Sequence, residues 1–367
     1  MKMWSFTIPT QVNFGVGSLA KIGDLINGRK YCLVTYSHPP FDTHAKRIEE
    51  ISGPAHAFIC NVDTNPDYKS LRESCIMGGV ADEIEVIVAL GGGSVIDTAK
   101  VMSACDGDFT NVQRLLETGE GRENLSEIPI IAIPTTSGTG SEVTGFSTVW
   151  DIESMKKHSL NLPGPYCESA LVDPELTLGA PRSLTISTGL DALSHAIEGI
   201  WNINANPATT SLAVTAAREV IDVLPDLADD LDNLELRTRM SRAALIAGIS
   251  VSNTRTALAH SLSYAITIEH GTPHGIACSF SLPDLIRCVK GFDADCDAAL
   301  KQIFGPNLET GADELTEMLN KLGVQTRAQD YGITPEKWRE MVNFALEGER
   351  GRNFIGDREV ILKTLSA

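Results

Sequence analysis

The first half of this chain alternates short apolar runs with longer amphipathic stretches, and this alternation limits the folds open to it. The four runs are rich in β-branched residues and read YCLVTY (31–36), AFICNV (57–62), EVIVAL (85–90) and IPIIAI (128–133). The intervening stretches, such as 67–79 and 95–104, have helical periodicity. Repeated strand, crossover helix and strand predict a parallel sheet covered by helices on both faces.

The second half has a different character. From Ser183 onward helical periodicity dominates, for example in 209–224 and 238–249, and strand signals largely vanish. The turn-rich segment DPELTLGAPRS (173–183) lies between the two patterns. We therefore predict an α/β domain over residues 1–180 and an all-α domain over residues 181–367.

Composition narrows the class of protein. A net charge of -18, from 48 acidic and 30 basic residues, argues against nucleic acid and anionic membrane surfaces as partners. The N-terminus has no apolar run of the signal-peptide kind, and no stretch approaches the roughly 20 apolar residues of a membrane span. The eight cysteines form no CxxC pair, so reduced thiols are expected. We expect a cytoplasmic protein that acts on a small molecule.

Two polar loops follow the third and fourth predicted strands. The first, GGGS (91–94), leads directly into a helix, and glycines beside a helix start suit the close approach of a phosphate. The second, 134–142, is dense in hydroxyls and glycines. Ligands of parallel sheets bind at the carboxyl ends of strands, so the two loops together predict a dinucleotide site. A plain tight turn is the alternative for the first loop, and a polar surface turn that caps the next element is the alternative for the second. Asn65 in DTNPD is a third candidate, with a plain Asx–Pro turn as the alternative.

A set of candidate metal ligands lies in the second half. Asp191 and His195 are four residues apart, which places them on one face of a helix. His260 belongs to another helical pattern, and a glycine and a proline before His274 should let the chain turn back. One carboxylate and three imidazoles suit Fe(II) or Zn(II), and the set contains no cysteine of the structural-zinc type. Each histidine taken alone could instead be a satisfied core residue.

The motifs GGGSxxDxAK, PTTSGTGSEVT and GLDALSHAIE and the PHG triplet together resemble the iron-containing alcohol dehydrogenase family. The resemblance covers nearly the whole chain. It implies an N-terminal nucleotide-binding α/β domain with a parallel sheet, an all-α C-terminal metal-binding domain, and a metal-dependent, NAD(P)-linked alcohol dehydrogenase or aldehyde reductase. Such proteins are commonly dimers or larger, so we expect a homodimer.

The resemblance also implies roles for individual residues. The metal ligands correspond to Asp191, His195, His260 and His274. The cofactor contacts correspond to Gly92, Gly93, Ser94, Asp97, Thr135, Thr136 and Thr139. A lysine near the nicotinamide corresponds to Lys157, with Lys156 as the neighbouring alternative.

Three positions depart from the usual family pattern. The first long strand ends VTYS (34–37), with Tyr36 and no acid, which resembles members that use NADP. We therefore favour NADP(H) and keep NAD(H) as the alternative. Tyr264 stands four residues after the third ligand, where many members have a histidine, and His270 is an additional histidine. Both are candidate proton donors, and an exposed role is the alternative for His270.

The substrate-binding residues are the least constrained. Arg255 and Thr256 precede His260, and an arginine fork suits phosphonate, sulfonate or carboxylate oxygens. SNTRTALAHSLSY and IWNINANP resemble a subgroup that reduces phosphonoacetaldehyde or sulfoacetaldehyde. A surface or interdomain salt bridge is the alternative for Arg255. The role of Arg350, Arg352 and Asn353 in GERGRNFIGDREV is left open.

Other functions share parts of this pattern. One is a metal- and NAD-dependent enzyme resembling dehydroquinate synthase or glycerol dehydrogenase. The first of these would need several Lys and Arg residues around the metal, and only Arg255 is a clear candidate. Another is a non-catalytic nucleotide-binding protein, which would most naturally have lost a metal ligand. Net consumption of NAD(P)H with an aldehyde, together with metal analysis, separates these possibilities.

Overall fold

The computed structural model describes residues 3–64, 66–79, 83–105, 107–151, 153, 156–161 and 166–365. They form two compact units. The first lies within 8–136 and 140–179, and the second within 3–7, 137–139 and 180–365. The short segment Ser137–Thr139, which the sequence analysis includes in the α/β part, thus packs with the helical unit. The candidate Asn65 lies outside the described residues.

The α/β unit contains a six-stranded parallel sheet and a separate two-stranded antiparallel hairpin. The sheet strands are β1 (Gln11–Phe14), β2 (Tyr31–Val34), β3 (Ala57–Ile59), β4 (Val86–Gly91), β5 (Ile130–Pro134) and β8 (Ser169–Val172), and the hairpin consists of β6 (Phe146–Asp151) and β7 (Lys156–Asn161). The helices are α1 (Ile22–Ile26), α2 (Phe41–Ser52), α3 (Tyr68–Gly79), α4 (Gly93–Cys105) and α5 (Phe109–Thr118). The predicted parallel sheet is confirmed.

The strands read as continuous apolar runs because both faces of the sheet are covered. Along β4, Val88 and Leu90 belong to one buried cluster, and Ile87 and Ala89 belong to the cluster on the opposite face. This alternation is the period of two that a pleated strand imposes on its side chains. β1 was not predicted, because its partly exposed sequence QVNF lacks a run of apolar residues.

The strand order β1-β8-β5-β4-β2-β3 creates a change of direction in the middle of the sheet. From β2 the chain proceeds to the edge strand β3, whereas from β4 it proceeds to β5 on the other side. The carboxyl ends of β2 and β4 therefore flank a topological switch point. Open α/β sheets bind ligands at such a point.

The second unit is built from helices around a single large core. They are α6 (Arg182–Ile200), α7 (Pro207–Asp229), α8 (Leu234–Thr254), α9 (Leu258–His270), α10 (His274–Ser279), α11 (Leu282–Val289), α12 (Ala294–Phe304), α13 (Leu308–Lys321), α14 (Pro335–Glu347) and α15 (Arg358–Leu365). The predicted helical character is confirmed. Among the described helices, none combines the length and the apolar character needed to cross a bilayer.

Candidate metal centre

Helix α6 carries three buried polar side chains on one face. Asp191, His195 and Glu198 are 4%, 6% and 0% exposed. Their spacings of four and three residues match the 3.6-residue helical turn, so the three side chains point the same way. The sequence motif predicted the first two as ligands, whereas Glu198 was not predicted.

Helices α9 and α10 supply the other predicted ligands. His260 lies in the first turn of α9, and α10 begins at His274. Between the helices, Gly271 adopts a φ of 65°, which the absence of a side chain permits. Pro273 precedes the first residue of α10. The chain therefore turns back and brings His274 to within 5.4 Å of His260, measured between ring centroids.

Gly275 explains the PHG triplet. A Cβ atom at this position would lie 1.8 Å from the carbonyl oxygen of Ser187 and 3.1 Å from the backbone nitrogen of Asp191. Helix α10 thus rests directly on the backbone of α6. This close approach places His274 beside the polar face of α6, and any residue larger than glycine would force the helices apart.

The four predicted ligands converge on one oxygen atom. Asp191 Oδ1 lies 3.3 Å from Nε2 of His260, 3.7 Å from Nε2 of His195 and 4.0 Å from Nε2 of His274. The rings of His195 and His260 are stacked, with centroids 4.7 Å apart. The structure therefore brings together the residues that the sequence analysis predicted as a set.

A thiol also belongs to this cluster. One candidate ligand atom from each of Asp191, His260, His274 and Cys278 can be chosen so that all four lie within 4.8 Å of one another. Cys278 is completely buried in α10, one turn after His274. The predicted ligand set contains no cysteine. Cys278 lies beside it because α10, which carries both His274 and Cys278, packs against α6 at Gly275.

Glu198 orients the ring of His260. Its Oε2 accepts hydrogen bonds from Nδ1 of His260 at 2.6 Å and from the backbone N–H of Ala257 at 2.9 Å, and its Oε1 accepts the backbone N–H of His260 at 3.2 Å. Burial raises the pKa of Glu198, but His260 and these backbone donors outweigh it and lower the pKa below its usual value. The ionised carboxylate holds a proton on Nδ1, so that Nε2 is the nitrogen of His260 that would face a bound cation beside Asp191.

The residues fit a divalent cation. Asp191 Oδ1 and His260 Nε2 are buried and have no hydrogen-bond partner among the described residues, which is costly unless another group satisfies them. Two ligands about 2.1 Å from a tetrahedral metal are about 3.4 Å apart, close to the observed 3.3 Å. Burial raises the pKa of Asp191, but the three neighbouring imidazoles overcome this effect and hold it far below its usual range. Burial lowers the pKa of His195, which favours the neutral ring that a metal requires.

Access to the cluster differs among its members. The side chain of His274 is 35% exposed, whereas those of Asp191, His195 and His260 are 6%, 8% and 2% exposed. A centre with one open side resembles a catalytic metal site, in which a position is kept for substrate, more than a closed structural one.

The two predicted cofactor loops are neighbours in the α/β unit. They follow β4 and β5, which are adjacent strands, and a Cβ at Gly92 would lie 3.3 Å from Oγ1 of Thr136. Ser94 donates from Oγ to the carbonyl of Thr64 at 2.5 Å. Helix α4 begins at Gly93, so its amino end lies at the carboxyl edge of the sheet. Thr135 is buried directly after β5.

Asp97 and Lys100 shape the second loop from within. Asp97 accepts a hydrogen bond from Oγ of Ser141 at 2.5 Å and from the backbone N–H of Thr148 at 2.8 Å. The buried ammonium of Lys100 donates to the carbonyls of Ser141, Thr144 and Phe146 at 2.7, 2.8 and 2.9 Å. Lys100 was missed, although it is the final residue of the GGGSxxDxAK motif.

Three further predicted cofactor contacts, Tyr36, Lys157 and Thr139, lie outside the segments 91–97 and 134–136. Tyr36, just after β2, stacks on His38 with ring centroids 5.5 Å apart. Burial raises the pKa of Tyr36, and the carboxylate of Asp63 adds to this effect. Lys157 lies in β7 with its ammonium 5.3 Å from the ring of Trp150. Thr139 belongs to the short segment that packs with the helical unit.

The predicted substrate and proton-donor residues lie around α9. Arg255 follows α8, is exposed and has a φ of 66° with a ψ of 171°, a region that only glycine adopts without strain. Thr256 is buried, Tyr264 is half-buried in α9, and His270 is exposed at its end. Burial raises the pKa of Tyr264, and the guanidinium of Arg350 opposes this effect.

Arg350, whose role was left open, lies close to two of these residues. Its Nη1 donates to Oγ1 of Thr256 at 2.7 Å, and its guanidinium lies 5.3 Å from the ring of Tyr264. Asn353 donates from Nδ2 to the carbonyl of Thr256 at 2.9 Å. The segment near the C-terminus thus contacts Thr256, two residues before α9, although about a hundred residues separate the two in sequence.

The sequence of this chain is similar to a known family over nearly its whole length. Residues 9–174 match the iron-containing alcohol dehydrogenase family, and residues 185–366 match the C-terminal part of the Fe-containing alcohol dehydrogenase family. The chain belongs to the iron-containing alcohol dehydrogenase family. This membership makes the protein an oxidoreductase of the alcohol dehydrogenase type and agrees with the predicted resemblance.

Individual relatives match between about half of the chain and its whole length. The NAD-dependent methanol dehydrogenase of Bacillus methanolicus is 31% identical over 92% of this chain and 90% of the relative. The phosphonoacetaldehyde reductase of Streptomyces viridochromogenes is 33% identical over 55% of this chain and 53% of the relative. The crystal structure of sulfoacetaldehyde reductase from Bifidobacterium kashiwanohense in complex with NAD+ has a TM-score of 0.91 at 29% identity and covers 100% of this chain and 98% of that one.

Proposed function

We propose that this protein is a metal-dependent, NAD(P)-linked aldehyde reductase that converts a small aldehyde into the primary alcohol. The observation that carries the proposal is the buried convergence of three imidazoles on the unpartnered Oδ1 of Asp191. In this proposal residues 181–367 hold the metal, which is Fe(II) with Zn(II) as the alternative, and residues 1–180 hold the nucleotide.

The chain's own residues divide the work as follows. Asp191, His195, His260 and His274 hold the cation, and Glu198 fixes the tautomer of His260. A bound cation supplies Lewis acidity toward a carbonyl oxygen, and a bound nicotinamide supplies the hydride. Exclusion of water by the buried cluster strengthens this electrostatic effect.

The cofactor would lie along the carboxyl ends of the sheet strands. We propose that the backbone of Gly92 and Gly93 and the side chain of Ser94 approach the pyrophosphate, because α4 begins there. Thr135, Thr136 and Thr139 are the proposed contacts from the second loop, and Asn65 and Lys157 are further candidates. Asp97 would contribute by holding the loop through Ser141.

The choice between NADP(H) and NAD(H) depends on the end of β2. No carboxylate follows that strand directly, which favours NADP(H), and Tyr36 offers an aromatic face to the adenosine. The carboxylate of Asp63 acts on Tyr36, and a negative charge there would oppose a 2′-phosphate. Measurement with NADPH and NADH, on the parent and on Asp63→Asn, tests whether Asp63 favours NADH.

We propose that a small anionic aldehyde, such as phosphonoacetaldehyde, is the substrate. The support is the pair of arginines near Thr256: Arg350, which donates to its hydroxyl, and Arg255, the preceding residue, whose positive φ is a costly backbone conformation of the kind that concentrates at ligand sites. A guanidinium binds phosphonate or sulfonate oxygens through two parallel hydrogen bonds. Tyr264 and the exposed His270 remain the candidate proton donors.

The function is tested on protein reloaded with Fe(II) or Zn(II). Phosphonoacetaldehyde, sulfoacetaldehyde and neutral aldehydes of similar size are offered with NADPH and with NADH, and cofactor oxidation is followed by absorbance. We expect metal-dependent oxidation with one of the anionic aldehydes. Turnover without net consumption of NAD(P)H would point instead to a lyase resembling dehydroquinate synthase.

The anion-binding role is tested by Arg255→Ala and Arg350→Ala. Loss of one charged hydrogen-bonding partner is worth about 1.5–3 kcal/mol, so KM for anionic aldehydes should rise about 10- to 150-fold while kcat for neutral aldehydes stays near the parent value. Arg352→Ala is the matched control, because Arg352 is an exposed arginine of the same segment. Equal losses with neutral and anionic aldehydes would exclude this role.

We further propose a homodimer that resides in the cytoplasm. The edge strand β1 and its exposed neighbours Ile8 and Val16 offer a surface that a second copy would cover. All eight cysteines are free, as expected in a reducing compartment. Light scattering coupled to size exclusion measures the oligomeric state, and a monomeric mass would refute the dimer.

A further inference from the structure

We propose that Asn202, Asn204 and Asn353 are positioning residues that hold Arg255 at the end of α8, where its guanidinium binds the anionic group of the substrate. This inference rests on the proposed function, because it requires an aldehyde that carries a negative charge. It gives one shared task to two asparagines of the IWNINANP segment and to Asn353, whose role the sequence leaves open.

The asparagine cradle consists of these three side-chain amides, which donate hydrogen bonds to three consecutive backbone carbonyls. The Nδ2 atoms donate from Asn204 to Thr254 at 3.2 Å, from Asn202 to Arg255 at 3.1 Å and from Asn353 to Thr256 at 2.9 Å. The side-chain oxygen of Asn202 also accepts the backbone N–H of Asn204 at 2.9 Å, which joins two of the donors. Amides that follow α6 and α14 thus meet at the end of α8.

The asparagine cradle fixes a backbone conformation that Arg255 would not otherwise keep. Its φ of 66° and ψ of 171° lie in a region that is essentially restricted to glycine, and such a conformation persists only where the surrounding contacts determine it. The carbonyl of Arg255 accepts from Nδ2 of Asn202 and from Oγ1 of Thr254, both at 3.1 Å, and its N–H donates to the carbonyl of Val251 at 2.8 Å. These contacts set the direction in which the arginine side chain leaves α8.

The asparagine cradle also removes an electrostatic obstacle to anion binding. The carboxyl end of a helix carries partial negative charge on its unpaired carbonyls, and this charge repels an anion. Helix α8 ends at Thr254, and amide N–H groups that donate to the carbonyls of residues 254–256 offset the charge. The guanidiniums of Arg255 and Arg350, which flank Thr256, then make this end of the helix suitable for a phosphonate or a sulfonate.

The segment that carries Arg255 is also tied to the metal-binding helix α6. The N–H of Ala257 donates at 2.9 Å to Oε2 of Glu198, the oxygen that also accepts from Nδ1 of His260. The backbone between Arg255 and His260 is therefore anchored at both ends, by the cradle and by Glu198. This keeps the arginine at a constant separation from His260, which suits a substrate whose anionic group and carbonyl group lie a fixed distance apart.

The test is a double-mutant cycle between Asn202 and Arg255 on the full, zinc-loaded chain. Asn202→Ala removes one donor of the cradle, and Arg255→Gly removes the guanidinium while glycine permits the same φ and ψ. Calorimetry measures the binding of methylphosphonate, which carries the anionic group without the aldehyde. We expect Asn202→Ala to weaken this binding about tenfold in the parent but less than about twofold in the Arg255→Gly background, because the two residues act as a unit.

A kinetic readout separates positioning from general stabilisation. In Asn202→Ala the ratio of KM for phosphonoacetaldehyde to KM for a neutral aldehyde of the same length should rise about tenfold, whereas a merely structural defect would change both KM values alike. Asn320→Ala is the matched control, because Asn320 is an exposed asparagine on α13, and its ratio should equal that of the parent.

Each result bears on the inference. Equal losses of methylphosphonate binding from Asn202→Ala with and without Arg255, or binding that Arg255→Gly leaves unchanged, would overturn the positioning role. A parent that reduces neutral aldehydes but binds no methylphosphonate would overturn the inference and leave a metal-dependent reductase. A parent that shows the expected coupling but reduces no aldehyde would uphold the inference and overturn the proposed activity. If Asn202→Ala fails to fold, Asn204→Ala and Asn353→Ala, which each remove one other donor of the cradle, decide the question by the same cycle.

Discussion

Replacement of Glu198 by glutamine tests how this protein prepares its metal centre. The substitution keeps the size of a completely buried side chain and changes only its charge and one of its two oxygens. In the parent both oxygens accept, Oε2 from Nδ1 of His260 and the backbone of Ala257, and Oε1 from the backbone of His260. Glutamine offers one acceptor, so either orientation points an amide N–H₂ at a buried N–H.

The magnitude follows from these contacts. If the amide nitrogen faces Nδ1, the ring of His260 relieves the conflict by moving its proton to Nε2, which removes the lone pair that faces Asp191. If the amide nitrogen instead faces the backbone of His260, the buried N–H of His260 loses its hydrogen-bond acceptor. Substitution of a group that orients a metal ligand costs about 10- to 100-fold in affinity, or about 1.4–2.7 kcal/mol.

The assay is a competitive zinc titration of the metal-free protein against a chromophoric chelator. We expect Glu198→Gln to bind zinc about 10- to 100-fold more weakly and to gain correspondingly less thermal stability from the metal. Glu314→Gln, an exposed glutamate on α13, is the matched control and should match the parent. A folded Glu198→Gln variant with an affinity within about twofold of the parent would refute the argument that Glu198 sets the tautomer.

Three further perturbations test the packing around both sites. Lys100→Met leaves three buried carbonyls without their donor and should lower the free energy of unfolding by about 3–5 kcal/mol. Denaturant titration measures this change, and a loss below about 1 kcal/mol would contradict the role of Lys100 in the second loop. Burial raises the pKa of Glu142 to about 7, so the native state holds a proton that the unfolded state, with a pKa near 4.5, has released. The stability that this proton supports is lost as pH rises from about 4.5 through 7. Glu142→Gln should therefore be more stable than the parent by up to about 3 kcal/mol at pH 8 and differ little from it at pH 5. Parallel plots of unfolding free energy against pH for the two proteins would refute the raised pKa. Gly275→Ala places a Cβ 1.8 Å from the carbonyl oxygen of Ser187. It should lower the free energy of unfolding by about 3 kcal/mol and the affinity for zinc by at least about tenfold. Unchanged zinc binding would show that α10 can move away from α6 without displacing His274.

Local patterns were sufficient for most of the fold. The apolar runs that became β2 to β5 are recognisable because a strand buried on both faces needs an apolar side chain at nearly every position. β1 and the hairpin of β6 and β7 escaped prediction, because partly exposed strands mix polar and apolar residues and so lack a distinct signal. Ser137–Thr139 could not be assigned to the helical unit from the sequence, since its contacts are made with distant residues such as Ser241.

The sequence by itself determined the features that lie within one stretch of chain. These are the strand and helix periods, the shared face of Asp191 and His195 on one helix, and the break between α9 and α10 at Gly271. These features follow from backbone geometry over three or four residues. The tertiary structure alone decided which groups complete the sites, because they come from separate elements. Cys278 reaches the metal ligands only where α10 rests on α6, and Arg350 reaches Thr256 only because the chain returns to α9 after almost a hundred residues (94 in sequence separation).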